Sequence, residues 1–363
     1  MKLEQALASI RPLDQNAMNQ AQRHWNNIAK PLHSLGRLEE AVIQIAGIIG
    51  TPQVRLDRPC GVVMCADNGV VAQGVTQSGQ DVTAIVTENL AKGDTSVCAM
   101  ARCIQADVLP VDIGVARDLV EPGVLNRKIR YGTGDITQEP AMTRAEAVRS
   151  LEVGIELAAF CKKTGYQAIC TGEMGIGNTT TAAALASVLL DCQPELVTGY
   201  GAGLDDAGLK RKIAAVKNAL LLHRPSKQDP VGLLASVGGL DIGGIAGLYL
   251  GGAVSRIPVL IDGVISAAAA LLAVAIAPQC SDFMLASHVS KDPAGSLLLD
   301  QLGKRPILYG EMCLGEGTGA MAALSLFRMG LAVYHEMRTF EETDIEAYQE
   351  LRESPSQQQT HIQ

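Results

Sequence analysis

The chain has 363 residues, of which 47% are hydrophobic, and its formal net charge is −8. This length suffices for a large core, in one large domain with an appendage or in two domains. The acidic balance, the lack of a basic block and an aromatic content of 3% exclude a nucleic-acid-binding protein, which needs positive charge and stacking rings.

The cysteines and the apolar runs indicate where the protein works. Nine cysteines occur singly, without a C-x-x-C pair, which predicts reduced, buried thiols and no zinc site. The N-terminal stretch lacks the apolar run of a signal peptide. Gly263–Pro278 is shorter than the ~20 residues of a membrane span and is predicted to be a buried helix. We expect a cytoplasmic protein without membrane contact, metal or other cofactor.

The chain opens with helices and then alternates between strands and helices. Apolar residues at helical spacing predict helices at Ala17–Ala29 and Arg37–Gly50. From residue 60, short β-branched runs alternate with Ala-rich helical patterns, which predicts an α/β fold with a doubly wound, mostly parallel sheet. The predicted strands are Gly61–Ala66, Ala106–Asp112, Ala168–Thr171, Pro258–Ile261, Phe283–Ala286 and Pro306–Tyr309. The predicted helices are Gln80–Ala91, Thr95–Gln105, Arg144–Lys163, Thr179–Leu190, Asp206–Leu222, Gly243–Val254, Gly263–Ala277 and Gly319–Glu336.

Polar residues follow most of these strands. Asp67-Asn68-Gly69, Asp112, Gly172-Glu173, Asp262-Gly263 and Ser287-His288 each stand at a predicted strand end. Ligands of open α/β folds bind at the carboxyl edge of the sheet, so this pattern favours a small-molecule site there. Turn residues also end strands without any function, and this alternative stays open.

The segment Cys170–Ala182 places a glycine-rich loop between a strand and a helix. Such a loop offers backbone N–H groups to a phosphate. The spacing from Gly172 to Gly177 resembles a nucleotide P-loop, but Asn178 stands where that loop needs its lysine, which excludes an NTPase. An anion site for one phosphate and a merely tight strand–helix connection remain as alternatives.

A second glycine-rich loop lies in Thr198–Lys212 and precedes a helix that carries Lys210, Arg211 and Lys212. Fixed N–H groups and a lysine suit a phosphate monoester, whereas the same basic cluster can also be a solvated helix face. Asp205-Asp206 lacks the preceding apolar strand of a magnesium–pyrophosphate site. The glycines of Val237–Gly252 favour close helix packing over a dinucleotide fingerprint.

A carboxylate stands in the glycine-rich turn Gly315–Gly319, immediately before a predicted helix. Glycines let the backbone turn sharply and approach a ligand closely. Glu316 is therefore either a solvated side chain beside a helix dipole or a general base at the edge of a pocket. With the two anion loops, the turn predicts an enzyme that acts on a monophosphorylated small molecule by acid–base chemistry.

Seven motifs between Lys30 and about Ala323 occur in an order that resembles the nicotinate-nucleotide:dimethylbenzimidazole phosphoribosyltransferase family of cobamide lower-ligand synthesis. They are Ser34–Glu39, Cys65–Val70, Gly172–Thr180, the G-x-G-A-x-L loop with the later Lys212, Val237–Gly247, Ser287–Ser290 and Leu314–Ala320. The resemblance implies a Rossmann- or flavodoxin-like large domain at residues 59–324 and a small helical domain from residues 1–58 plus about 325–363. It also implies a pentosyltransferase that moves 5-phosphoribose from nicotinate mononucleotide to an aromatic acceptor (a benzimidazole, purine or phenol), releasing nicotinate and giving an α-ribotide.

The resemblance also implies the roles of individual residues. Glu316 matches the catalytic base. The residues that match the acceptor pocket are Ser78, Val86, Met174 and Leu314. Those that match the phosphate and ribose side are Glu173, Gly175, Gly201, Gly203, Lys212 and Ser290. No metal is implied, and the assembly is a homodimer or a heterodimer with a paralogue.

This chain departs from the family pattern at several positions. Asn68 replaces a usual His, His33 replaces a usual Gly, and Val86 replaces a Gln that can hydrogen-bond an azole ring; Ser78–Thr83 also lacks a Pro. The apolar Val86 motivates the hypothesis that the acceptor is phenol or p-cresol, giving an O-glycoside in a heterodimer. A non-catalytic nucleotide-binding partner subunit and a diphosphate-dependent ribosyltransferase are further alternatives.

Overall fold

The computed structural model describes residues 1–349. It contains one six-stranded sheet with strand order β3-β2-β1-β4-β5-β6, in which all neighbouring strands are parallel. The strands are β1 (Pro59–Ala66), β2 (Asp107–Gly114), β3 (Leu125–Asn126), β4 (Ala168–Met174), β5 (Val259–Ile261) and β6 (Met284–Ala286). The helices are α1 (Leu3–Ser9), α2 (Gln15–Asn27), α3 (Arg37–Ile49), α4 (Asp81–Lys92), α5 (Ser96–Cys103), α6 (Arg144–Lys163), α7 (Asn178–Leu189), α8 (Pro194–Val197), α9 (Asp206–His223), α10 (Pro230–Val237), α11 (Leu240–Ser255), α12 (Val264–Ile276), α13 (Ala294–Gln301) and α14 (Thr318–Glu336). Short 3₁₀ turns occur at Gly69–Gln73, Pro278–Phe283 and Phe340–Glu342.

The sheet is doubly wound, as the sequence predicts. All eight residues of β1 are buried, because helices cover both faces of a central parallel strand. From β1 the chain adds β2 and β3 on one side, and it then adds β4, β5 and β6 on the other. The reversal between β1 and β4 opens a crevice at the carboxyl ends of these strands, which is the usual ligand position in such sheets.

Some element boundaries differ from the prediction. The predicted strand at Pro306–Tyr309 is wrong: the segment makes only an isolated bridge between His288 and Leu308. Ile307 and Leu308 both donate to the carbonyl of Ser287, so the ladder does not continue. The two-residue strand β3 is too short to show a sequence period.

Among the helices, α8, α10 and α13 were missed, although Asp229 caps α10 and Pro230 stands at its first position. Helix α11 begins at Leu240, three residues before the predicted start. Its glycines allow close packing on α6, since a Cβ at Gly247 would overlap the backbone of Leu151. The expected close helix packing is therefore confirmed.

Both ends of the described chain meet on one side of the molecule. The Tyr334 ring of α14 lies 4.4 Å from the His24 ring and 5.0 Å from the Trp25 ring of α2, and Ile28 bridges Thr339. One buried apolar cluster includes these helices and the sheet. The division into two domains stays a prediction, and the polar tail at residues 350–363 lies outside the described residues.

Helix α12 is buried, as expected for the alanine-rich segment. None of the helices described in residues 1–349 has the length and hydrophobicity to cross a bilayer.

Candidate active site

A cavity of about 440 Å³ lies beside the carboxyl ends of β4, β5 and β6. Its lining includes eight of the predicted site residues: Val86, Glu173, Met174, Gly175, Gly201, Ser290, Leu314 and Glu316. Three predicted residues, Ser78, Gly203 and Lys212, are not part of the lining. The structure thus brings most of the predicted residues to one cavity.

The three remaining residues lie near the glycine loop or the segment before α4. The carbonyl oxygen of Gly203 accepts a hydrogen bond from the Gln77 side chain, which joins this loop to the residue preceding Ser78. The backbone N–H of Ser78 donates to the hydroxyl of Thr76, and Thr76 is one of the cavity-lining residues. Lys212 lies beneath Gly201, since a Cβ there would be 3.1 Å from its Nζ.

Glu316 stands on a strained turn. Its φ is +60°, between Gly315 at +91° and Gly317 at +96°. A non-glycine residue in this region costs of order 1–3 kcal/mol, and such strain persists only where the surroundings fix it. The glycines on either side adopt these angles without that cost.

Two contacts fix the Glu316 turn. The buried carboxylate of Asp262 accepts hydrogen bonds from the N–H groups of Gly317 (3.1 Å) and Ala320 (2.9 Å) at the start of α14. Burial raises the pKa of Asp262 to about 6, against the lowering effect of these hydrogen bonds. From the other side, the Glu316 Oε2 accepts from the N–H of Val97 in the first turn of α5 at 3.1 Å. The Glu316 carboxylate is therefore held at the rim of the cavity in a defined orientation.

Lys212 is a buried cation without an ion-pair partner among the described residues. It is 1% exposed, and its Nζ donates to Thr179 Oγ1 (2.7 Å) and to the Gly199 carbonyl (3.1 Å). Burial lowers its pKa to about 8, and the charge of Asp292 opposes this only in part. An ammonium has three donors, so one remains for an anion at the adjoining Gly201 loop.

Helix α7 adds a second element to this end of the cavity. It begins at Asn178 after Gly177, which has a φ of 94° and provides no side-chain cap. Thr179 therefore links the start of α7 to Lys212, 33 residues later in the chain. The N–H groups of Asn178 and Thr180 donate to the carbonyls of Gly175 and Gly177. The helix start still presents the positive end of its dipole, which attracts anions, so this end of the cavity is suited to a phosphate.

The lining also includes a group of apolar side chains. Val86 of α4 and Met174 at the end of β4 both belong to it. The other members of the group are Val75, Ile176, Val264, Ile265, Cys313 and Leu314. An apolar lining of this kind favours a flat aromatic ligand with few polar groups.

Glu173 enters a hydrogen-bonded arrangement that the sequence analysis missed. The Asn178 amide donates to Glu173 Oε2 and, at 2.9 Å, to Asp241 Oδ2 at the start of α11. Desolvation raises the pKa of Glu173 to about 8, and the neighbouring charge of Asp241 adds to this effect. Desolvation likewise raises the pKa of Asp241 to about 6. Gly175 leaves room for this arrangement, since a Cβ there would lie 3.0 Å from Asp241 Oδ2.

His288 also borders the cavity and was predicted only as a strand-end residue. Its Nδ1 lies 3.0 Å from Ser287 Oγ, and burial lowers its pKa. Gly319 at the start of α14 packs directly on the imidazole, because a Cβ there would overlap the ring. Within residues 1–349, no group of three or more His, Cys, Asp or Glu side chains is arranged to hold a metal ion.

Comparison with known proteins adds to this geometry. A family model described as phosphoribosyltransferase matches residues 10–345. The chain is 46% identical over 351 residues to the nicotinate-nucleotide–dimethylbenzimidazole phosphoribosyltransferase of Ruminiclostridium cellulolyticum, covering 97% of this chain and all of that protein. It is 46% identical over 347 residues to the enzyme of the same name from Acetivibrio thermocellus, covering 96% and 99%.

The fold comparison agrees. The crystal structure of CobT from Thermus thermophilus has a TM-score of 0.87 and 39% identity, and covers 91% of this chain and 99% of its own. A second structure from that organism, titled as the same phosphoribosyltransferase, has a TM-score of 0.84 and 40% identity, covering 91% and 98%. With matches of this identity and coverage, the chain belongs to the phosphoribosyltransferase family of these enzymes and is a pentosyltransferase.

Proposed function

We propose that this protein transfers the 5-phosphoribosyl group of nicotinate mononucleotide to dimethylbenzimidazole, as the names of its relatives describe for those enzymes. The observation that carries the proposal is the lining of one cavity by Glu316 at a fixed turn and by Gly201 above a buried lysine. A base and an anion site on one cavity are what a transfer between a phosphorylated sugar and a protic acceptor requires.

The reaction needs one proton acceptor. A ring nitrogen of the acceptor attacks C1′ of the sugar, and the bond to nicotinate breaks with its electron pair on the pyridine nitrogen. The acceptor's second ring nitrogen then gives its proton to the Glu316 carboxylate. Nicotinate departs without needing a proton, because its ring nitrogen regains a lone pair. Glu316 is thus the single catalytic residue of this proposal.

The phosphate and ribose are assigned to the loop end of the cavity. Lys212, with one free donor, and the N–H groups near Gly201 and Gly203 would bind the phosphate. Gly175 and Ser290 would border the ribose. Glu173 is assigned to the ribose or to nicotinate. These groups fix the sugar and leave C1′ open towards Glu316, so that binding energy is used for orientation.

The acceptor is assigned to the apolar part of the lining. Val86, Met174 and Leu314 belong to the lining, and Ser78 is placed with them because it follows the cavity residue Thr76 by two positions. Val86 offers no hydrogen bond to an azole, which is the observation behind the phenol alternative. The names of the relatives favour dimethylbenzimidazole instead.

An acceptor panel tests the proposal. Purified protein is incubated with nicotinate mononucleotide and one acceptor at a time: dimethylbenzimidazole, adenine, phenol or p-cresol. The products are separated by chromatography and identified by mass spectrometry. We expect an α-ribotide of dimethylbenzimidazole with one nicotinate released per product, unaffected by EDTA. Nicotinate release with phenols alone would contradict the acceptor assignment, and activity that requires diphosphate and magnesium would contradict the donor assignment.

We further propose that the active form is a dimer of this chain. The family resemblance is the basis of this proposal, and light scattering of the purified protein tests it. A monomer that is fully active, or a protein that gains activity only with a paralogous chain, would contradict it.

A further inference from the structure

Two buried carboxyl groups beside the cavity share one amide donor. The Asn178 side chain donates one hydrogen to Glu173 Oε2 and the other to Asp241 Oδ2. Glu173 is 8% exposed, Asn178 4% and Asp241 0%. The groups that act most strongly on the two carboxyl groups are this amide, backbone N–H groups and other carboxylates, and no lysine or arginine is among them. Two ionised carboxylates in such a place are costly, so one of them keeps a proton.

The surroundings decide which group keeps the proton. Asp241 lies in the first turn of α11, where backbone N–H groups lower its pKa and the helix dipole favours a negative charge. Glu173 lies near the end of strand β4, and among the described residues the Asn178 amide is the group that donates a hydrogen bond to it. The pKa values of about 8 for Glu173 and about 6 for Asp241 agree with this order. At neutral pH the proton therefore resides on Glu173.

We propose that Asp241 is a positioning residue. Its negative charge lies next to Glu173, because both carboxyl groups bind the Asn178 amide, and it keeps Glu173 protonated as a neutral hydrogen-bond donor that faces the cavity. This inference rests on the proposed function of the same cavity. It concerns a residue that does not line the cavity and would act only through Glu173.

The acid form of Glu173 suits the proposed substrate. Nicotinate mononucleotide carries a phosphate and a ring carboxylate, and the cavity already contains the carboxyl groups of Asp262, Asp292 and Glu316. A further negative charge at Glu173 would repel the nucleotide in a poorly solvated site. A protonated Glu173 instead donates a hydrogen bond to a ribose hydroxyl or to the nicotinate carboxylate. Gly315 packs directly on Glu173 Oε1, which leaves the oxygen little freedom to turn away.

All the charged groups with a main influence on Glu173 act in the same direction. Among these charges, that of Asp241 on α11 raises the pKa of Glu173 most. The charges of Asp262 after β5 and Glu316 before α14 raise it further. The Asn178 hydrogen bond on α7 is the opposing influence. Removing the charge of Asp241 should therefore let Glu173 ionise at lower pH.

The test is the pH dependence of nicotinate mononucleotide binding and of kcat/KM in Asp241→Asn. Asparagine retains an oxygen for the Asn178 amide and removes the charge, and its NH₂ group takes the place of Oδ1, which has no hydrogen-bond partner among the described residues. We expect the alkaline limb to move to lower pH by about one unit or more. Lys212 titrates in the same range as Glu173, so its deprotonation would also give an alkaline limb in these pH profiles. If Lys212 were the cause, Asp241→Asn would not move that limb. An unmoved limb overturns the proposal.

Asp67→Asn is the matched control. Asp67 is also a buried carboxyl group, and its charge acts on Asp241 rather than being among the main influences on Glu173. This variant should leave the limb where it is in the unaltered enzyme. An equal displacement in both variants would indicate a general response to a lost buried carboxylate and would overturn the specific role of Asp241.

A spectroscopic measurement is independent of turnover. Infrared spectra of the unaltered protein at neutral pH should show the carbonyl stretch of a protonated carboxylic acid, which Glu173→Gln removes and Asp241→Asn weakens. Absence of this band at neutral pH overturns the inference, even where a variant does not fold. A protein that shows the band but transfers no phosphoribosyl group would refute the proposed function and leave the proton assignment in place.

Discussion

Replacing Lys212 by methionine should make the unliganded protein more stable and the nucleotide complex weaker. The pKa of Lys212 falls from 10.5 to about 8 because its ammonium is buried. Keeping that charge in the folded state corresponds to about 3 kcal/mol. Methionine removes this cost and fills a similar volume, but it leaves Thr179 Oγ1 and the Gly199 carbonyl without their donor. Each lost hydrogen bond costs about 1 kcal/mol, so about 1 kcal/mol of stabilisation remains.

The same substitution removes the proposed phosphate contact. A hydrogen bond from a charged donor contributes about 1.5–3 kcal/mol, so the Kd for nicotinate mononucleotide should rise roughly 10- to 150-fold. Thermal unfolding without ligand and calorimetric titration with the nucleotide measure the two effects. We expect Tm to rise on the order of 1–2 °C. Lys210→Met, at an exposed position on the same helix, is the control and should change neither quantity appreciably.

The pH dependence has a defined sign. Below pH 8 Lys212 is charged in both the folded and unfolded states, so the burial cost is fully present. As the pH rises from about 8 towards 10.5, the folded state loses the proton first, and the cost disappears. The stability difference between Lys212→Met and the unaltered protein should therefore shrink in this interval. A lower Tm of Lys212→Met with unchanged nucleotide affinity would refute the assignment of Lys212 as a buried cation that binds the phosphate.

Three further substitutions test other parts of the cavity. Val86→Gln adds an amide to the apolar lining and should lower the KM for dimethylbenzimidazole relative to the KM for phenol. Steady-state kinetics that show equal changes in the two KM values would contradict this. Gly315→Ala forces a side chain into a φ of +91° and against Glu173. The kcat should therefore fall roughly 5- to 150-fold with unchanged circular dichroism, as about 1–3 kcal/mol of strain implies, and a retained kcat would contradict this. Glu173→Gln should remove a pH dependence of the free energy of unfolding. Between pH 4.5 and about 8, the folded protein holds a proton on Glu173 that the unfolded chain releases. The stability of the unaltered protein therefore falls as the pH rises, by up to about 1.4 kcal/mol per pH unit, and the variant lacks this decline. Identical slopes in denaturant titrations would count against the buried proton.

The fold and the glycine turn that carries Glu316 were predictable because their signals are local. β1 is a continuous apolar run, and the turn around Glu316 combines three glycines within five residues. Helix α10 carried a readable signal as well, in Asp229 followed by Pro230. The segment Pro306–Tyr309 misled because apolar composition does not reveal that only one bridge forms.

The parts that were missed depend on contacts between distant residues. Asn178 and Asp241 are separated by 63 positions, and Glu316 and Val97 by 219. The role of Asp262 as the acceptor for the Glu316 turn likewise needs the start of α14 to lie over the end of β5. Sequence spacing gives no measure of such approaches, since they arise from the winding of the sheet.

The central claim is that Glu316 accepts a proton from the acceptor base as that base attacks C1′ of the sugar. Glu316→Gln tests it most directly, because a glutamine oxygen still accepts the hydrogen bond from Val97 and the turn is preserved. Glu311→Gln is the matched control, since Glu311 is also a glutamate with positive φ, at +50°, but its side chain is 86% exposed.

The measurement is single-turnover transfer to dimethylbenzimidazole, together with the Kd for nicotinate mononucleotide. We predict that Glu316→Gln lowers the transfer rate about 10²- to 10⁴-fold and leaves the Kd within about threefold, while Glu311→Gln changes neither. Transfer by Glu316→Gln within about tenfold of the unaltered enzyme would contradict the claim.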